Sequence, residues 1–185
     1  MRARSVTELI DVLANGERVK YLLFWGHRPR RDGTIGAGRL SQWWPAEFTV
    51  DGVSFRTAEH YMMWRKAMLF GDLEVAEQVR AAAHPGEAKS LGRRISGFDE
   101  SLWEAHRYEI VVAGNIAKFG RHEELRHFLV HTADRVLAEA SPVDRIWGIG
   151  LTAEDPRAED PTRWQGLNLL GFALMEARAV LRAAP

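Results

Sequence analysis

Glu59 and Lys66 stand seven residues apart in the run Phe55-Arg56-Thr57-Ala58-Glu59-His60-Tyr61-Met62-Met63-Trp64-Arg65-Lys66. On a helix rising 1.5 Å per residue with 3.6 residues per turn, Glu59, Met62, Met63 and Lys66 share one side, and the acid lies roughly 10 Å from the amine. That layout suits a site in which a carboxylate moves a proton and an ammonium holds a phosphate or tunes the acid. The same glutamate also fits a plainer role, an acid in the first turn of a helix, where the macrodipole and free amides favour its ionised form; burial in an apolar pocket would push the opposite way. His60 and Tyr61 add polar rings beside it, and both charges could equally be solvated.

A second unusual run, Ala140-Ser141-Pro142-Val143-Asp144-Arg145-Ile146-Trp147-Gly148-Ile149-Gly150, sets one acid and one indole beside two glycines that let another group approach closely. Two carboxylates among seven tryptophans point to chemistry on a flat ring. Trp25, Trp43, Trp44, Trp103, Trp147 and Trp164 all lie near glycine, proline or polar residues, where rings can line a cleft. Trp103 also begins a helical face with His106, Arg107, Ile110, Gly114 and Lys118, and most such tryptophans are core. Gly92-Arg93-Arg94 could offer backbone amides and guanidinium groups to a phosphate, or be solvated surface. His122, His127 and His131 with Glu123 lack a His-Glu-x-x-His pattern, so no metal ligand is assigned. No Walker loop, strand-linked G-x-G-x-x-G or G-x-S-x-G elbow occurs, which disfavours nucleotide hydrolysis and serine catalysis, and no cofactor is expected.

These residues need elements to hold them. Thr7 to Ala14 reads as a short amphipathic helix ended by Asn15-Gly16, and Val19 to Trp25 as an apolar strand. The stretch His27 to Gly38 reads as a loop whose arginines Arg28, Arg30 and Arg31, with Arg39 beyond, are candidates for phosphate contact. Asp51-Gly52 between two alternating apolar runs marks a hairpin over Phe48 to Phe55. Helices then dominate: Thr57 to Phe70, Asp72 to Ala83, Glu87 to Leu91, Asp99 to Phe119, His122 to His131 and Leu169 to Arg182. Thr57, Asp72 and Asp99 are expected to cap helix starts, and Gly71, Pro85-Gly86 and Gly120 to interrupt or end the periodic runs. Arg135 to Ala140 is a weaker strand, and Thr152 to Pro161 an exposed loop. The expectation is a single domain over residues 1–185, α+β and mainly α-helical, with a small N-terminal antiparallel sheet.

Composition narrows the chemistry. At 185 residues the chain can bury a core without disulfides or structural metal. Its 25 basic and 25 acidic residues cancel, so no global field attracts nucleic acid or an anionic membrane, and any phosphate affinity must be local. The absence of cysteine removes thiolate nucleophiles, zinc ribbons and iron–sulfur clusters. No window reaches the length of a membrane span and the N-terminus lacks a signal-like apolar core, which suggests a soluble cytoplasmic protein.

Taken in order, the motifs resemble the YbiA/NADAR family over nearly the whole chain. The resemblance rests on Phe24-Trp25, Leu40-Ser41-Gln42-Trp43, Asp51-Gly52, Glu59-His60-Tyr61-Met62-Met63 with Lys66-Ala67, Lys89-Ser90-Leu91-Gly92-Arg93 and Trp103. It continues through Gly114-Asn115, Lys118-Phe119, Glu139-Ala140-Ser141-Pro142, Asp144, Ile146-Trp147-Gly148-Ile149-Gly150 and Asn168-Leu169-Leu170-Gly171. Two places depart from the family pattern: Ser41-Gln42-Trp43 stands where many relatives show Ser-Asn-aromatic, and Arg121-His122 replaces Gln-Asn after Lys118-Phe119.

The resemblance implies an N-glycosidase that cleaves a ribose C–N bond; the absence of cysteine and of a convincing histidine and carboxylate ligand set leads to the expectation that it works without metal. One branch of the family acts on early riboflavin-pathway intermediates; others remove ADP-ribose from guanine. It places the catalytic acid on Glu59, an aromatic contact on Trp103 and a second acid on Asp144. Trp43, Lys66, Arg93, Trp147 and Asn168 are the expected substrate-binding residues. The expected partner is a small phosphoribosyl or ADP-ribosyl substrate, with nucleic acid a possible carrier of it. A non-catalytic module that recognises ADP-ribose or NAD is the alternative from another class; the retained Glu59 and Asp144 argue against it.

Overall fold

The computed structural model describes residues 3–27 and 36–184. Arg28, Arg30 and Arg31 of the expected phosphate-contact loop therefore lie outside the described residues. In chain order the elements are α1 Val6–Ala14, β1 Tyr21–Phe24, β2 Phe48–Val50, β3 Val53–Phe55, α2 Ala58–Leu69, α3 Leu73–Ala81 and α4 Pro85–Gly92. They continue with α5 Glu100–Arg121, α6 Glu123–His131, β4 Val136–Glu139 and α7 Leu169–Ala183, with 3-10 turns at Ala37–Leu40 and Pro161–Arg163. The architecture is α+β and mainly helical, as the sequence leads one to expect, and it contains a small antiparallel pair. No helix among the described residues is long and apolar enough to cross a membrane. The chain forms two compact units, one made of the segment up to Ser41 together with the segment from Glu124 onward, the other of Gln42–Glu123.

In the first unit β1 runs parallel to β4, from Tyr21 opposite Val136 to Phe24 opposite Glu139. Val136, Leu137 and Ala138 are fully buried, as expected of a parallel strand covered on its faces. Ala138, Ala140, Ile149, Leu151 and Ala158 form a cluster against which Leu23 and Trp164 pack. Trp164 is thereby structural: its Nε1–H donates to the Ala158 carbonyl at 2.9 Å and its ring meets Tyr21 edge-on. The stretch Thr152 to Pro161 is less exposed than its composition suggests, because Ala158 and Pro161 turn into the interior. Arg178 of α7 is buried, and its guanidinium donates to Thr132 Oγ1 and the Arg135 carbonyl just before β4.

The second unit begins with the antiparallel hairpin, Phe48 opposite Phe55, turning through Asp51 and Gly52 with φ of 49° and 80°. Two successive positive φ values are those of the hairpin turn that Asp-Gly favours. Phe48 and Phe55 carry the sheet's apolar face into contact with Tyr61, and Phe55 also meets Trp64. At Gly114 on α5 a Cβ would fall 2.6 Å from the Tyr61 ring, so only glycine lets α2 and α5 come this close. Buried Trp103, Arg107, Ile110, Gly114 and Lys118 mark the inward stripe of α5.

Three sequence expectations are corrected here. The short helix expected from Glu87 starts two residues earlier: Pro85 follows the end of α3 and opens α4 at the first helical position, where a missing N–H costs nothing. His84 Nδ1 accepts from the Glu87 N–H, and Glu87 Oε2 accepts from the Ala83 N–H, so the start is capped reciprocally. Gly120 does not end α5, which runs on to Arg121, since one glycine costs only about 1 kcal/mol and the packed stripe outweighs it. His106 faces solvent rather than the buried stripe, and its Nδ1 lies 3.0 Å from the carbonyl of Leu102 on its own helix.

Candidate functional site

Thr57 has extended backbone, and its hydroxyl accepts from the His60 N–H, capping α2. Glu59 is then the second helical residue, whose amide has no partner inside its own helix. That amide donates to the Gln42 carbonyl at 3.0 Å. The Glu59 residue is 3% exposed, among Ala58, His60, Tyr61, Met62 and Met63, all buried. A glutamate in a helical first turn is ordinary; one enclosed in the interior is not. Beside it, the His60 ring spans from Thr57 Oγ1, 2.8 Å from Nδ1, to the Ala82 carbonyl, 3.3 Å from Nε2. A carbonyl only accepts, so Nε2 carries the hydrogen and Nδ1 accepts from the threonine hydroxyl. Burial lowers the His60 pKa and holds the ring neutral. His60 is thus a tie between the start of α2 and the end of α3.

Lys66 lies two turns along α2. Its Nζ donates to the Gly92 carbonyl at 2.9 Å and sits 4.2 Å from the Phe98 ring centre and 5.6 Å from that of Trp103. Burial lowers its pKa. The acid and the amine that spacing sets on one side therefore have different surroundings: a closed interior for one, an aromatic shelf at the end of α4 for the other. Trp103, almost buried, is the inner wall of that shelf. The Arg93 and Arg94 amides bond back to Ser90 and Leu91, closing the last turn of α4, so they are not available to a phosphate; only the exposed guanidinium groups remain. Trp43 is half-buried and packs on Gly86 at the start of α4.

Asp144, Trp147 and Asn168 belong to the other unit. Asp144 Oδ1 accepts from the Ile146 and Trp147 amides at 2.9 and 2.8 Å, which folds the acid over its own turn and sets the half-buried Trp147 at its end. Oδ2 makes no hydrogen bond among the described residues. Asn168 is fully buried with φ of 52°, a left-handed conformation that asparagine tolerates. Its Oδ1 accepts from the Glu139 N–H and its Nδ2 donates to the Leu137 carbonyl, so both ends of the amide complete the free edge of β4.

Three residues gain importance that spacing alone does not confer. Lys118 is entirely buried on the inward stripe of α5, its Nζ 4.9 Å from the Phe119 ring centre, and burial brings its pKa down to about 7. A helical period can assign a side but not a depth, and depth is what sets that amine near its midpoint at neutral pH. Asn115 and Gln42 are the others: Asn115 Nδ2 donates to Gln42 Oε1 at 3.2 Å and to the Val111 carbonyl at 2.9 Å. Asn115 Oδ1, buried, makes no hydrogen bond among the described residues. The His127 and His131 rings stack at 3.7 Å on α6, and no group of three or more His, Asp or Glu that could hold a metal gathers among the described residues.

The NADAR domain family model matches residues 23–182, a span that takes in all of the second unit and most of the first. The chain is 38% identical over 167 residues to an N-glycosidase of Acanthamoeba polyphaga mimivirus, covering 88% of this chain and 96% of that one. It is 33% identical over 138 residues to N-glycosidase YbiA of Escherichia coli strain K12, 75% of this chain and 76% of that protein. The solved NMR structure of the E. coli protein YbiA superposes with a TM-score of 0.67 at 28% identity, covering 89% and 88% of the two chains. Motifs, family model and fold agree, and the chain belongs to the NADAR family.

Proposed function

We propose that the protein is an N-glycosidase that hydrolyses the C–N bond between ribose and a base or amine in a phosphoribosyl metabolite, an early riboflavin-pathway intermediate being the type. The observation that carries this reading is the buried Glu59 carboxylate in the first turn of α2, in a chain whose relatives bear the name N-glycosidase. Breaking that bond develops positive, oxocarbenium character on the ribose. A carboxylate beside the sugar stabilises that charge, and either attacks C1 or takes a proton from the water that does, while an acid protonates the departing nitrogen. Glu59 and Asp144 are the two acids in this reading and Trp103 an aromatic contact. Trp43 and Trp147 stack on the leaving ring, and Lys66 and Arg93 hold the phosphate end, with Asn168 completing the binding set. The reaction proceeds without metal, since the chain offers no cysteine and no convincing histidine and carboxylate ligand set.

Removal of ADP-ribose from guanine in nucleic acid is the second reading, favoured in the sequence by Arg28, Arg30 and Arg31 of the stretch from His27 to Gly38; Arg39 is buried with its guanidinium over the Phe128 ring and does not contribute. The balanced net charge favours the small metabolite instead, since a polynucleotide is drawn by a wider basic surface. One experiment separates them: incubate the protein with 5-phosphoribosylaminopyrimidine and, separately, with ADP-ribosylated guanine in a single-stranded oligonucleotide, and follow release of the base. Cleavage of the metabolite with weak salt dependence supports the first reading. Cleavage of the oligonucleotide alone, falling steeply with salt, supports the second.

A further inference from the structure

Gln42 is held from two directions. Its side-chain Oε1 accepts from Asn115 of α5, and its backbone carbonyl accepts the Glu59 amide at the start of α2. Both Gln42 and Asn115 are buried, and the hydrogen bond joins positions 73 residues apart in sequence. A buried amide pair of this kind adds little net stability compared with a well-packed apolar pair, so stability alone gives weak reason for it. What it does supply is direction: it sets the orientation of one peptide, and that peptide is the partner of the Glu59 N–H. The next residue along the chain is Trp43.

Resting on the reading of Glu59 as the catalytic acid, we propose that Gln42 and Asn115 are positioning residues: their mutual hydrogen bond fixes the Gln42 peptide, and through it the first turn of α2 and the placement of the Glu59 carboxylate. Neither touches the reacting atoms. A displacement of an acid by about 1 Å can cost up to 100-fold in rate, and a pair that prevents such displacement acts on kcat rather than on binding. Asn115 and Gln42 also anchor the backbone immediately before Trp43, so the acid and one aromatic candidate share a single support.

The test has two arms. In the first, Gln42→Met and Asn115→Leu are assayed with 5-phosphoribosylaminopyrimidine. Each lowers kcat roughly tenfold while KM stays within about twofold, and the double variant is no slower than either alone. Placed in a Glu59→Gln background, Gln42→Met produces no further loss. Full kcat in Gln42→Met, or an equal loss with and without the Glu59 carboxylate, overturns the proposal. The second arm needs no substrate: hydrogen exchange at the Glu59 amide, followed by NMR in the intact chain, speeds up at least tenfold in Gln42→Met. Unchanged protection overturns the positioning role whatever the activity is. Wild-type turnover in Glu59→Gln with accelerated exchange in Gln42→Met removes the catalytic reading of Glu59 while the link itself stands.

Discussion

Glu59 and Asp144 are the two acids of separate motifs, and the structure gives them different settings. Glu59 stands in the first turn of a helix, enclosed, with its backbone amide bonded to a distant loop. Asp144 stands in a half-buried turn, where one of its oxygens accepts from the two amides that follow it. The difference is instructive. The main chain of Glu59 is tied to Gln42 while its carboxylate is enclosed, whereas for Asp144 the acceptor oxygen is needed by its own turn whether or not the acid reacts. Substitutions that remove charge but keep shape should therefore act differently from those that remove the acceptor.

The largest effect is expected at Glu59. Glu59→Gln should lower kcat by about 100-fold to 10,000-fold, the range that proton transfer by a placed side chain contributes. Its melting temperature should stay close to wild type, since the bond to Gln42 uses the main chain. Steady-state kinetics and circular dichroism on one sample check both halves. Asn168 sharpens the comparison from the structural side: Asn168→Ala leaves two buried backbone groups of β4 unsatisfied, which should cost about 3 kcal/mol in denaturant unfolding. A substrate-binding role for its amide would appear in addition as a raised KM in the folded protein. Asp144 lies between these cases. Asp144→Ala should lose about 1 kcal/mol with the turn's acceptor, while Asp144→Asn should keep that stability and lose turnover only if the charge acts on the ribose.

A pH-dependent effect is expected at His60, a neutral ring on the same turn as Glu59. Its folded pKa lies below the unfolded value of about 6.5, with burial the main cause. Above that pH both states are neutral and the contribution of the ring to stability is complete. As pH falls the unfolded chain takes up the proton first, and stability drains away through the folded pKa. His60→Gln should thus be less stable than wild type by about 1 to 2 kcal/mol at pH 8, the cost of two lost hydrogen bonds. The gap should narrow as pH falls from 7 to 5, as read from urea midpoints at each pH. A gap that widens on acidification would mean that the ring is charged in the folded state.

What the sequence discloses of this fold is what is local. Thr57, Asp72 and Asp99 each cap the helix that follows because the side chain bonds an amide three residues on, and the Asp51-Gly52 turn is encoded in two residues. The pairing of β1 with β4 is not local. Each strand is recognisable by itself, but a parallel partner more than a hundred residues away leaves no periodic trace. Pro85 separates α3 from α4, and the cap at His84 shows that it belongs to the start of the second helix and not to the gap. At the candidate site the motif identifies Glu59, but the closed surroundings of the acid, the aromatic shelf around Lys66 and the depth of Lys118 depend on packing between helices distant in sequence. The bond from Asn115 to Gln42 has no sequence signature, since neither amide announces its partner.

The central claim is turnover at a ribosyl C–N bond, and chromatographic release of free base tests it most directly. Wild-type protein treated with EDTA and given excess 5-phosphoribosylaminopyrimidine or an ADP-ribosylated guanine should release base and ribosyl product in equal amounts, many times over per protein molecule. Either compound recovered intact from a stable complex, with no base released from either, would contradict the account and mark the protein as a binding module.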